Sequence, residues 1–134
     1  MRPSYIVGFV FGIMTILVNI FLVLPVKNNL LGFILLSGLL FFNSLFSVLF
    51  TKKSNGYNLS WIEGIKSSVQ SGIVQGLFYF ISILLIRNYI SPESFPDLNS
   101  LKQYLLIFNI YIILFSIFSA IFGLITSSLF HNQK

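Results

Sequence analysis

Four long apolar runs, Tyr5–Leu24, Leu30–Phe50, Ile62–Ile86 and Tyr104–Phe130, occupy most of this chain. A helix needs ~20 largely apolar residues to cross a hydrocarbon core of ~30 Å, and each run is near or above that length. Backbone polar groups in lipid must be bonded internally, which restricts such runs to helices. The expected fold is an all-α membrane protein, with a single domain over residues 1–134. It is read as a four-transmembrane-helix bundle with short connections and spans at about 5–24, 30–50, 60–86 and 103–130.

Charged residues make up 8% of the chain, against ~25% in a soluble domain, so a water-exposed fold of this size could not solvate its surface. The net charge of +5 does not point to nucleic acid here, because the basic residues lie at helix ends, where they orient a chain against a membrane. The partner common to every span is the lipid bilayer. The chain has no cysteine, which excludes a disulfide framework, a thiolate metal site and lipidation through cysteine. Arg2 before the first run gives the outline of a secretory leader. The run is too long for one, however, and it ends in Val23-Leu24-Pro25-Val26-Lys27 without a small-residue cleavage signature, so it reads as a retained span.

The basic residues also give an orientation. Arg2, Lys52, Lys53, Lys66 and Lys134 fall on one side, and Lys27, Arg87 and Lys102 on the other, where Glu93 and Asp97 offset them. Positive charge favours the cytoplasmic face, which places both termini in the cytoplasm. Pro25 and Lys27-Asn28-Asn29 mark the first turn, and Ser54-Asn55-Gly56 the second. Pro92 and Pro96 prevent a helix from running through the third connection.

Ser60-Trp61-Ile62-Glu63 has the spacing of a reciprocal capping box, in which Ser60 and Glu63 each satisfy a backbone donor at the start of the third helix. Glu63 can also serve as an i,i+3 partner for Lys66, and the functional alternative makes it a proton or cation site. Tyr57 and Trp61 suit the headgroup region as interface anchors, since each joins an apolar ring to a hydrogen-bonding edge. Along the third helix Gly64, Ser68, Gly72 and Gly76 recur every fourth residue, beside a polar row of Ser71 and Gln75. The fourth helix carries Ser119, Gly123 and Ser127, and the first carries Gly8 and Gly12. Small residues at this spacing let helices approach closely, either inside one bundle or between molecules. Asn19, Asn43, Gln70, Gln75 and Asn109, with Ser37, Ser44 and Ser47, would be costly in lipid and are expected to point into the bundle.

Catalysis finds little to work with. The titratable inventory is Glu63, Glu93, Asp97 and His131, with no glycine-rich phosphate loop and no metal-ligand cluster. No catalytic residue, cofactor or metal is therefore assigned. Proton- or sodium-coupled transporters usually carry a mid-span carboxylate or an interrupted helix, and neither is visible. The sequence reads as a small membrane protein without enzymatic activity, a structural or accessory subunit that associates with other membrane proteins or with itself. The alternative is a small transporter or channel component working as an oligomer.

Asn55-Gly56-Tyr57-Asn58-Leu59-Ser60-Trp61-Ile62-Glu63-Gly64-Ile65-Lys66, placed between the second and third spans, and the later Tyr89-Ile90-Ser91-Pro92-Glu93-Ser94-Phe95 are similar to segments of a bacterial family. With the order of spans, they make the chain resemble the four-helix membrane family called domain of unknown function 4199. The resemblance implies a bacterial inner-membrane protein and supplies neither catalytic residues nor a ligand.

Overall fold

A computed structural model describes residues 3–23, 25, 29–56, 58–90 and 100–130. It contains four long helices: α1 (Pro3–Val18), α2 (Asn29–Ser54), α3 (Trp61–Leu85) and α4 (Leu101–Phe130). α1 and α3 continue as π-helical turns, Asn19–Val23 and Ile86–Ile90. With these turns, all four are long and apolar enough to cross a membrane. The chain is an integral membrane protein in the form of an all-α bundle. Tyr57, the prolines of the third connection, Lys27-Asn28 of the first, and His131 lie outside the described residues.

α3 packs against all three other helices, and α2 does the same, so this antiparallel pair forms the centre with α1 and α4 on its flanks. The reason lies in the sequence of α3. Its span has a mean hydropathy of 1.8, against 2.2 to 2.7 for the others, because small and polar residues replace aliphatic ones on the inward faces. Gly64, Ser67, Ser68, Ser71, Gly72, Gln75 and Gly76 are all buried. Edge-on aromatic pairs fill the outer parts of the seams: Phe9–Phe78 between α1 and α3, Phe41–Phe122 between α2 and α4, and Tyr79–Tyr111 between α3 and α4.

Helix ends are closed by local chemistry. Gly56 has φ 69°, a left-handed conformation that glycine adopts without strain, and its N–H and that of Asn55 bond back to the carbonyls of Lys53 and Thr51 at 3.3 and 3.0 Å. Lys52 Nζ donates to the Phe130 carbonyl at 2.7 Å, so a cation at the end of α2 satisfies an orphan carbonyl at the end of α4. At the opposite end the last turns of α1 and α3 widen to π geometry, and Asn19 is buried there. The α-helical part of the first span therefore stops at Val18, before Pro25 is reached.

The reciprocal capping box forms at α4 rather than α3. The Ser100 N–H donates to Gln103 Oε1 at 3.2 Å and the Gln103 N–H to Ser100 Oγ at 3.4 Å. At α3 only half of the box is made: Ser60 Oγ accepts from the Glu63 N–H at 3.2 Å. The Glu63 carboxylate turns instead to Asn55, whose Nδ2 donates to Oε2 at 2.8 Å, and among the described residues no ion pair joins Glu63 to Lys66.

Candidate functional site

The small-residue series on α3 and α4 meet each other inside the chain. A side chain added at Gly64 would run into Ser127, one at Gly72 into Ser119, and one at Gly76 would approach Phe115 Cβ at 3.1 Å. From the other side, a methyl at Gly123 would come within 2.6 Å of Ser68 Cβ. On the opposite flank of α3, Gly8 faces Ser71 and Val74, and Gly12 faces the Phe78 ring. These faces are used up by intramolecular packing and offer nothing to a second molecule.

Between α1, α2 and α3 a layer of polar side chains has no solvent exposure: Thr15, Asn43 and Gln75 are each 0% exposed. Its bonds fix their own direction. The Thr15 hydroxyl donates to the Phe11 carbonyl at 2.7 Å, so its oxygen can accept, and Gln75 Nε2 donates to it at 2.9 Å. Gln75 Oε1 then faces α2, where Asn43 Nδ2 donates to it at 2.7 Å and also reaches the Ser71 carbonyl at 3.1 Å. Asn43 Oδ1 is left without a hydrogen-bond partner.

Polar contacts continue on both sides of this layer along α3. Ser68 Oγ donates to the Ser119 carbonyl at 2.6 Å and lies 2.7 Å from Ser44 Oγ. Ser67 Oγ lies 2.6 Å from both Ser47 Oγ and Thr51 Oγ1. Toward the π-helical ends Asn19 Nδ2 donates to Ser82 Oγ at 2.8 Å. Every one of these side chains is neutral, so the row can donate and accept hydrogen bonds but holds no fixed charge. Among the described residues no three His, Asp or Glu come together as metal ligands would.

Sequence reasoning passed over Thr15, Ser4, Ser67 and Ser82. A signal was present for Thr15, because Gly8, Gly12, Thr15 and Asn19 follow each other at intervals of four, three and four, the stripe of a single helix face. In the other direction, Asn109 departs from expectation. It is exposed on the outer face of α4, in contrast to the buried Asn19, Asn43 and Gln75, while Gln70 and Ser37 are half-buried.

Two cavities lie toward opposite ends of the bundle. One, of about 290 Å3, sits between α2, α3 and α4 and is mainly apolar, with Tyr79 and Tyr111 in its wall. The other, of about 310 Å3, is a polar vestibule where α1 and α3 begin and α2 ends. Glu63 and Lys66 line it, and Ser4, Ser67 and Gln70 form its inner wall. Ser4 Oγ donates to Gln70 Oε1 at 2.9 Å, tying α1 to α3 beside it. Trp61, in the first turn of α3, is 40% exposed. Comparison with protein-family models, with curated proteins and with solved structures gave no match.

Proposed function

We propose that this membrane protein has no enzymatic activity and works by association, as a structural or accessory subunit whose contact surface is the outer face of α4. The observation that carries this reading is Asn109. Its amide is exposed and makes no hydrogen bond within the described residues, although it lies two turns inside Lys102, about 10 Å deeper at 1.5 Å per residue. A bare amide at that depth is costly in lipid, and a facing helix that bonds it removes the cost. Ile110, Ile113, Ile117 and Ile121 continue the same exposed stripe, at spacings of three and four. α4 is also the least covered helix, with 11% of its most apolar window buried against 28 to 39% elsewhere.

Photo-crosslinking in native membranes tests the surface. A photoreactive side chain at Ile113 is expected to capture a protein of defined size, which is either a second copy or another membrane protein. The same group at Val10, on the outer face of α1, should yield lipid adducts. Asn109→Leu should lower capture at Ile113 about tenfold, corresponding to the ~1–2 kcal/mol of an interhelical amide bond in a membrane. Lipid adducts alone at Ile113, or equal protein capture at Val10, would exclude α4 as the contact face.

We further propose a bacterial inner membrane and the orientation given by the basic residues, with the Lys52-Lys53 end of α2 and the start of α3 in the cytoplasm. A reporter that is active only outside the cytoplasm, fused after Lys53, should be silent. Activity there would invert the topology.

A further inference from the structure

We propose that the polar vestibule is a binding site for a zwitterionic amine–phosphate group, the chemistry of phosphoethanolamine, with the ammonium on Glu63 and the phosphate on Lys66. Three observations lead to it. The first is the charge arrangement: a carboxylate and an ammonium line one cavity yet form no ion pair with each other, and Lys66 makes no hydrogen bond at all among the described residues. Two opposite charges left separate in this way complement a ligand that carries both signs, and a ligand of one sign would meet repulsion from one of them.

The second observation is that Glu63 is not consumed by the helix start. Only its backbone N–H takes part in the cap, and its carboxylate is steered by Asn55 at 2.8 Å. A carboxylate already oriented by one amide keeps lone pairs for an incoming ammonium. Third, the inner wall is polar and built in. Ser4 and Ser67 are 2% and 3% exposed, and Gln70 Oε1 is occupied by the Ser4 hydroxyl, which leaves the amide nitrogen of Gln70 as a donor beside Lys66. An apolar ligand would meet Glu63, Lys66 and the Gln70 amide nitrogen without bonding any of them. At about 310 Å3 the cavity falls at the small end of ligand sites, ~300–1,000 Å3, enough for a headgroup and not for its acyl chains. It lies at the first turn of α3, the turn that also carries Trp61, which puts it at headgroup level, so the group can arrive on a membrane lipid or free in solution.

Trp61 is the only tryptophan and lies two residues from Glu63, which makes its fluorescence a local probe. The full chain in a non-ionic detergent is titrated with phosphoethanolamine, with short-chain phosphatidylethanolamine and with short-chain phosphatidylglycerol. Saturable change with the phosphatidylethanolamine alone identifies a lipid headgroup site, and saturable change with both amine phosphates identifies a site that also takes the free group. Glu63→Gln and Lys66→Gln, both at exposed positions, should each weaken binding about tenfold, as expected for loss of a charge-assisted hydrogen bond, and leave thermal stability unchanged. The proposal is overturned if neither amine phosphate gives saturation, if phosphatidylglycerol binds equally well, or if both variants bind like the parent.

Discussion

Replacing Gly72 with leucine should destabilise the bundle by about 3 kcal/mol, the upper part of the range for overpacking a tight core. Even a methyl group at this position would overlap Ser119 Oγ, come within 2.5 Å of Ser119 Cβ and reach 3.3 Å from the Phe115 carbonyl. Two of those neighbours cannot swing away, because they are the root of a side chain and the backbone of α4. The helices would have to separate, and the 2.6 Å bond from Ser68 to the Ser119 carbonyl would be lost with them. Gly38 is the matched control, since a methyl there meets nothing within 4 Å. Thermal melts in detergent should show a large fall for Gly72→Leu and little change for Gly38→Leu. Equal melting of the two variants would remove close α3–α4 contact as the source of stability.

Gln75→Ala should cost about 2–4 kcal/mol. Truncation leaves a void in a site with no exposure, and it removes one bond each from two buried partners, Thr15 Oγ1 and Asn43 Nδ2, which keep only those to the Phe11 and Ser71 carbonyls. The loss should be strongly non-additive with Asn43→Ala, since the first change already breaks the bond that the second would remove. A double-mutant cycle on the purified protein measures this coupling. The same variant distinguishes packing from passage. If Gln75→Ala melted like the parent but abolished pH- or sodium-dependent flux in proteoliposomes, the polar row would be a solute path and the accessory reading would fall.

Much of this architecture was legible in the sequence because lipid imposes so few solutions. Run length alone gives the spans, and the Gly64, Ser68, Gly72 and Gly76 stripe identified α3 as the element that others approach. What the sequence left open was whether that stripe faced inward, since a small-residue face looks the same before its partner is known. The pairing of Gly72 with Ser119 and of Gly123 with Ser68 answers that question. Ser60–Glu63 and Ser100–Gln103 share the same spacing, and only tertiary context separates them: Asn55 competes for the Glu63 carboxylate, while Gln103 closes its box with Ser100. Asn109 was misplaced because an apolar helix with few polar marks gives its rotation only weakly. One asparagine among isoleucines and leucines does not say which side of α4 faces the core.

The Thr15–Asn43–Gln75 layer joins the first three helices and leaves the fourth out. These bonds need only α1, α2 and α3, so this part of the interior is paired without any contribution from the last helix. The last helix is held chiefly by shape, with Gly72 closed on Ser119 and Gly123 on Ser68, and with the Ser68 hydroxyl bond and the tie from Lys52 to Phe130 fixing its register.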